Sequence, residues 1–330
     1  MEVPDYELPP EAIAQTPAAR RDSARLLDAI DPAAPAHRTV ADLPLLLRPG
    51  DVVVVNDSRV LPARLHLVKG TGGSAEVLLL EPLDGRTWNA LVRPGRRLPP
   101  GTLLAAGPEE DPLVEVGERV GDDGQRRVRL LADADQVLAR VGQMALPPYI
   151  HEPLAEADRY QTVYANRPGS VAAPTAGLHF TDELLARVSE TGAVVHRVDL
   201  AVGMATFRPV TAARAEDHQM HTERYSVPEE TWQACVEADR VVAVGTTTVR
   251  ALESAALTGK REGASDLFIR PGFSFALVDV LLTNFHMPRS TLLLLLEAFA
   301  GPRWRDLYRL ALAEGYRFLS FGDAMIVGRA

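Results

Sequence analysis

The chain has one cysteine in 330 residues, Cys235. A lone cysteine excludes an internal disulfide framework and any cysteine-rich zinc site. Cys235 sits in the helical pattern TWQACVEAD, where a buried small hydrophobe is the natural reading. An excess of positive charge is also missing. Lys and Arg number 35 against 44 Asp and Glu, a net charge of −9. No general cationic field is there to grip nucleic acid, so an RNA partner would need a local basic surface. The longest apolar run, LLLLLEAFA, is far too short to span a bilayer. The start, MEVPDYELPPEAIAQTP, is polar and proline-rich with no signal-peptide pattern, so a cytoplasmic location is expected. There is no Walker pattern and no GxGxxG, which disfavours a nucleoside triphosphate or dinucleotide site, and HExxH is absent. No internal repeat or low-complexity tract interrupts the chain.

What is there is an ordinary globular composition on a chain long enough to bury a sizeable core. Residues 1–50 are proline-rich, with a short helical pattern expected around RRDSARLLDAI. LRPGDVVVVNDSRV gives a turn at Pro49-Gly50, an apolar strand from Val52 to Val55 and a polar loop, Asn56 to Arg59. From about Leu65 to Leu131 short β-rich runs alternate with Gly and Pro turns near every ten residues, which favours a small antiparallel sheet or barrel. GERVGDDGQRRVRLL reads as a hairpin turning at Asp122-Asp123-Gly124. After LPPYI (146–150), strands and helices alternate. TDELLARVSETG is a helix with Thr181 as N-cap, AVVHRVDL a strand, 228–240 a helix and RVVAVGT a buried strand. TTVRALESAALTG is a helix, FALVDVLLTNF a strand, and MPRSTLLLLLEAF a helix with Ser290 as N-cap. WRDLYRLALAEG is the last helix. Alternation of this kind argues for an α/β layer. The expected architecture is an α/β domain, 1–62 plus 151–330, interrupted by a β-rich insert at 63–150.

Four stretches could carry chemistry. GSVAAPTAGLHFT (169–181) packs small residues and His179 against a helix start. Small side chains allow close approach of backbone or ligand, free N–H groups attract anions, and a histidine can move protons near neutral pH. A packed loop in which His179 only satisfies a carbonyl is the plainer alternative. VVAVGTTTVRALES (241–254) runs a buried strand into Gly245, three threonines and a helix bearing Arg250 and Glu253, either a ligand-binding strand end or simply a capped helix. EDHQMHTERY (216–225) holds His218 and His221 three apart with Glu223 nearby; further metal ligands are not evident, so polar substrate contacts or a solvated turn are preferred. LLTNFHMPRST (281–291) again clusters polar groups at a strand-to-helix junction, although a single histidine such as His286 is more often structural. Two arginine groups, Arg86, Arg93, Arg96 and Arg97, and Arg303, Arg305 and Arg309, could meet phosphates or simply face solvent. If the strands are wound in parallel, the junctions at 169–181, 241–248 and 283–291 converge on one cleft.

Taken together, ELPPEAIAQTP, LRPGDVVVVNDSRVLPARL, ALPPYI, RYQTVYA, GSVAAPTAGLHFT, DHQMHTE, VVAVGTTTVRALESAA, IRPGF, DVLLTNFHMPRSTLLLLLEAFAG and YRFLSFGDAM resemble the S-adenosylmethionine:tRNA ribosyltransferase-isomerase family of queuosine biosynthesis, in family order along nearly the whole chain. The resemblance implies a barrel-like α/β domain built from both chain ends, with an inserted small antiparallel β-barrel. It implies transfer and isomerisation of the ribosyl moiety of S-adenosylmethionine onto 7-aminomethyl-7-deazaguanine at the wobble position of tRNA with a GUN anticodon. The product is epoxyqueuosine, and adenine and methionine leave. It implies a cytoplasmic monomer that uses S-adenosylmethionine as co-substrate, with no cofactor and no metal. The sulfonium acidifies C5′–H, adenine departs better protonated, and the attacking amine must be neutral; histidines suit all three tasks.

On this resemblance His179 and His286 are expected near the reacting carbons, with His221 and Glu223 as further catalytic candidates and His218 beside them. Tyr160 and Tyr164 would stack on a base. Thr246, Thr247 and Arg250 would hold the methionine end, and Asn56 and Arg59 would close the cleft. Pro174, Thr175, Gly177, Phe180, Thr206, Gly245, Asn284 and Ser290 complete the expected substrate contacts. The family's usual Leu-His-Val-Gly-x-Gly-Thr-Phe reads LAVGMATF here, with Ala201 and Ala205 replacing a histidine and a glycine. That departure leaves two alternatives open: a divergent enzyme with a small-molecule acceptor, or a non-catalytic S-adenosylmethionine- or RNA-binding relative.

Overall fold

The structure is a computed structural model, and it describes residues 2–120, 124–203, 214–218, 220 and 222–330. In chain order the strands are β1 (Arg25–Ala29), β2 (Ala36–Thr39), β3 (Asp51–Asn56), β4 (Ser58–Val60), β5 (Arg64–Lys69), β6 (Ser74–Pro82), β7 (Thr87–Arg93), β8 (Thr102–Ala105) and β9 (Pro112–Val120). They continue as β10 (Gln125–Leu130), β11 (Gly142–Gln143), β12 (Arg167–Ser170), β13 (Val194–Leu200), β14 (Glu223–Ser226), β15 (Arg240–Val244), β16 (Glu262–Ser265), β17 (Val280–Asn284) and β18 (Ala324–Gly328). The helices are α1 (Ala134–Val141), α2 (Asp182–Glu190), α3 (Glu229–Glu237), α4 (Thr246–Thr258), α5 (Thr291–Ala300) and α6 (Trp304–Ala313). No described helix is long and apolar enough to cross a membrane.

Two compact units emerge. One comprises Met1–Arg59, Pro147–Arg167 and Ala173–Ala330; the other comprises Val60–Leu146 and Pro168–Ala172.

The second unit is a closed antiparallel barrel of six strands, β5-β6-β7-β10-β9-β8, with β8 returning to β5 and β11 added beside β5. Its strands alternate as a one-sided surface must. Trp88, Ala90 and Val92 of β7, and Arg126, Val128 and Leu130 of β10, are the buried positions. Arg126 is the exception in kind. Its guanidinium is buried and donates to the carbonyls of Gly95 and Leu98.

The first unit is built on a nine-stranded mixed sheet, ordered β16-β14-β13-β3-β15-β17-β18-β1-β2. The four central strands β13, β3, β15 and β17 run parallel. β3 reads DVVVVN and is buried at every position, as a strand covered on both faces should be. Because these strands run parallel, β3, β15 and β17 end along one edge, at Asn56, Val244 and Asn284. That common edge decides where the functional groups meet.

Two expected elements differ. RLLDA, expected within a helix, is β1, paired in parallel with β18 and antiparallel with β2. Leu26 and Leu27 are both fully buried, and two adjacent apolar residues facing opposite ways are satisfied by a doubly covered strand. FALVDVLLTNF holds a strand only from Val280 to Asn284. The hairpin at GERVGDDGQRRVRLL is present as β9 and β10; Asp122 and Asp123 of its turn lie outside the described residues.

Candidate active site

The sequence VVAVGTTT makes β15 stop and α4 start within three residues. Gly245, the N-cap, has φ +89°, a backbone conformation that only glycine adopts without strain. Its N–H donates to the carbonyl of Leu282 at 2.8 Å, locking the turn to β17. No side chain caps α4. The first N–H groups of a thirteen-residue helix are thus offered at the sheet edge beside Thr246 and Thr247. Helix α2 is the contrast. Thr181 accepts from the N–H of Leu184 at 3.1 Å, and Asp182 and Glu183 fill the first turn. The anion-attracting helix start expected after His179 is therefore already satisfied, and the open one is α4.

A pocket of about 600 Å³ lies at this edge. Three stretches line it, as the parallel winding requires: Ala173–Ala176, Gly245–Thr247 and Thr283–Met287. Tyr149, Val202, Ser290, Leu292, Leu319 and Ser320 complete the wall. Of the expected contacts, Pro174, Thr175, Gly245, Thr246, Thr247, Asn284, His286 and Ser290 meet here. Ser290 also caps α5, accepting from the N–H of Leu293 at 3.2 Å.

His286 is buried, and its Nε2 lies 3.0 Å from Thr283 Oγ1. Its peptide is held at both ends. The N–H donates to the Tyr308 hydroxyl at 2.8 Å, and the carbonyl accepts from the Tyr6 hydroxyl at 2.5 Å. Burial among these groups lowers the imidazole's pKa to about 3. His179 stands one layer behind the pocket. Thr175 Oγ1 donates to Asn284 Oδ1 at 2.9 Å, which turns the Asn284 amide nitrogen toward His179 Nε2, 3.3 Å away. His179 lines a separate, smaller cavity with Arg21, Arg159, Phe321 and Ser320; Ser320 also lines the main pocket. Burial lowers its pKa to about 4, and the Arg317 and Arg21 charges push the same way. Both imidazoles are neutral at pH 7.

Next to this pocket is a second one of about 470 Å³, lined by His218, Glu223, Arg250, Phe268, Leu292 and neighbours. Arg250 and Glu223 form a buried ion pair. Glu223 also accepts from the N–H of Gly203 at 3.1 Å, and the His218 ring meets Phe268 edge-on at 5.7 Å. Glu223, expected as a further catalytic candidate in or just behind the site, is bound to Arg250 in this second pocket. No group of three or more described His, Cys, Asp and Glu residues is arranged to hold a metal ion.

Several expected contacts are placed elsewhere. Tyr160 is fully buried, edge-on to Phe321, and Tyr164 is buried edge-on to Phe180 in the core beneath the sheet. Neither ring is open to a base, because each fills core volume. Phe180 is part of that same core. A Cβ on Gly177 would stand 2.0 Å from the Tyr164 hydroxyl, so this glycine makes room for a tyrosine rather than a ligand. Asn56 is buried and structural. Its amide donates to Leu200 O at 3.0 Å and to Thr247 Oγ1 at 3.2 Å, and its Oδ1 accepts from the N–H groups of Leu200 and Ser58. Arg59 is exposed and lines neither pocket. Thr206 and His221 lie outside the described residues, as does Ala205; Ala201 is described, and its N–H donates to Arg224 O. Among the arginines, Arg303 donates to two backbone carbonyls, and Arg305 and Arg309 pair with Glu297 and Asp306. Sequence reasoning missed Ser320, Tyr6 and Tyr308 as site residues. Ser320 lies in the quoted stretch YRFLSFGDAM without being singled out there, and the tyrosines act from opposite ends of the chain.

A parallel sheet with neutral histidines and hydroxyls at its carboxyl edge, on a chain that also carries a closed six-stranded barrel, defines an α/β enzyme with an inserted β-barrel. Residues 2–327 match the family described as queuosine biosynthesis protein. The chain is 53% identical over 326 residues to the S-adenosylmethionine:tRNA ribosyltransferase-isomerase of Rubrobacter xylanophilus, covering 98% of this chain and 96% of that one. It is 50% identical over 343 residues to the enzyme of the same name from Thermus thermophilus, covering 99% of each. The crystal structure of S-adenosylmethionine tRNA ribosyltransferase from Thermotoga maritima is similar with a TM-score of 0.55 at 38% identity, covering 98% of this chain and 99% of that one. The chain belongs to the queuosine biosynthesis protein family.

Proposed function

We propose that the chain transfers and isomerises the ribosyl moiety of S-adenosylmethionine onto the aminomethyl group of 7-aminomethyl-7-deazaguanine at the wobble position of a tRNA with a GUN anticodon. Adenine and methionine leave, and epoxyqueuosine remains in the RNA. In this reading the enzyme works as a cytoplasmic monomer, S-adenosylmethionine is a co-substrate, and no metal or resident cofactor takes part. The full-length likeness to enzymes bearing that name supports it. The observation that carries it is the convergence of Ala173–Ala176, Gly245–Thr247 and Thr283–Met287 on one pocket holding His286, with His179 behind it.

The reaction needs a base at the acidified C5′–H and an acid at the departing adenine. Burial keeps His286 neutral, so it can accept a proton inside a pocket that sheds water. Once protonated it becomes the acid that a later step requires. His179 acts through Asn284: it fixes the amide that faces the substrate and offers a second proton acceptor. The open start of α4, with the hydroxyls of Thr246 and Thr247, supplies donors for polar atoms of the co-substrate. Tyr160 and Tyr164 take no part, being core residues.

The test is incubation of the purified chain with S-adenosylmethionine and tRNA bearing the aminomethyl base. Stoichiometric adenine release with a matching mass gain on the RNA is expected. Adenine release with unmodified RNA would sink the tRNA acceptor.

A further inference from the structure

We infer that the second pocket seats the amino-acid end of the sulfonium co-substrate, with Arg250 taking its carboxylate and Glu223 its ammonium. This inference rests on the proposed use of S-adenosylmethionine and adds to it where the zwitterion sits and why.

The two pockets adjoin along three segments of chain. Val202 lines the first, and the next residue, Gly203, donates its N–H to Glu223 in the second. Ser290 lines the first, Thr291 the second, and Leu292 both. On α4, Thr246 and Thr247 face the first pocket and Arg250 the second. A ligand that occupied both pockets would lie along these three segments.

The donor set fits one chemistry. The Arg250 side chain spends Nη1 on Glu223 and Nε on the carbonyl of Leu267 at 3.3 Å. Its Nη2 is buried and has no hydrogen-bond partner among the described residues. A buried guanidinium nitrogen without an acceptor is costly unless a ligand supplies one, and a carboxylate is the acceptor whose geometry suits it. The pair as a whole is neutral. A lone anion arriving at Arg250 would face the Glu223 carboxylate across the pocket, and a lone cation would face Arg250. A zwitterion brings one charge for each.

Length agrees as well. Thr246 and Arg250 are one helical turn apart, about 6 Å along the axis. The methionine arm needs roughly the same distance from sulfur to carboxylate carbon, given bonds near 1.5 Å. Leu267, Phe268, Ile269 and Leu295 give that arm's methylenes an apolar wall. The sulfonium and ribose then remain in the first pocket, beside His286.

The experiment is equilibrium calorimetry on the unaltered full chain with four ligands: S-adenosylmethionine, its decarboxylated analogue, its desamino analogue and 5′-methylthioadenosine, which lacks both the amino-acid end and the sulfonium charge. Loss of either charge should weaken binding by between about 10- and 100-fold, and loss of both by more. In Glu223→Gln the penalty for the desamino analogue should vanish while that for the decarboxylated one persists. If all four ligands bind within about threefold of one another while the chain still modifies tRNA, the seat is elsewhere and the activity stands. If S-adenosylmethionine itself does not bind and no adenine is released, both the seat and the activity fall.

Discussion

In the pocket around His286 the polar groups are neutral: an imidazole with a depressed pKa, threonine hydroxyls, an asparagine amide and the uncapped start of a helix, with the His179 imidazole one layer behind. In the pocket around Arg250, which shares Leu292 with it, the polar groups include a full ion pair, beside His218, inside an apolar wall. The first pocket holds its imidazole neutral, because burial opposes a charge there, so a proton taken up by His286 is readily given back. The second holds fixed charge and can only match it. In the proposed reading, neighbouring pockets on one helix divide the work, proton movement in one and charge recognition in the other. α4 spans both, with its dipole end in the first and its guanidinium in the second.

The sharpest way to break this comparison is to remove the proton carriers. His286→Ala should lower turnover by about 10²–10⁴-fold with native-like unfolding, and His179→Ala should do so less severely because it acts through Asn284. Single-turnover adenine release measures both; unaltered rates would leave the histidines with a structural role only. The ion pair should answer in stability instead. Arg250→Met leaves Glu223 buried and uncompensated and should cost about 3–5 kcal/mol in urea unfolding, with the double change Arg250→Met, Glu223→Leu recovering most of it. A double variant as unstable as the single one would show that the pair contributes more than mutual neutralisation.

Smaller effects sharpen the contrast between ligand-facing and core-facing residues. Gly177→Ala drives a methyl into the Tyr164 hydroxyl and should destabilise by about 1–3 kcal/mol. The most diagnostic effect is in pH. Both histidines have folded-state pKa values below the ordinary 6.5, at about 4 and about 3. Between those values and 6.5 the unfolded chain binds protons that the folded chain refuses. Their contribution is therefore full above pH 6.5 and is lost as pH falls toward 4 and 3, with a slope approaching about 1.4 kcal/mol per pH unit for each histidine. Urea titrations of the unaltered chain and of His286→Asn should differ in slope by about one proton over that range; equal slopes would place a charged imidazole in the folded state.

Much of this was written locally. The N-caps at Thr181 and Ser290, the glycine before the threonines of α4 and the six alternating strands of the barrel all follow from residue-by-residue chemistry. The strand β1 did not, because SARLLDAI carries no period that separates a doubly buried strand from a short helix. Nor did the fate of Tyr160 and Tyr164. An aromatic ring looks equally fit for a base or a core, and only the packing of Phe321 and Phe180 against them decides.

The sequence alone determined the parts: which segments fold into strands and helices, where turns need glycine, and that polar groups gather where strands give way to helices. Those outcomes depend on neighbours a few residues away. The tertiary structure alone decided that Thr246, Asn284 and His286 share a pocket, that Glu223 belongs to Arg250, and that both histidines are neutral. Those outcomes depend on which residues, distant along the chain, displace water from one another, and solvation is a property of the assembled fold.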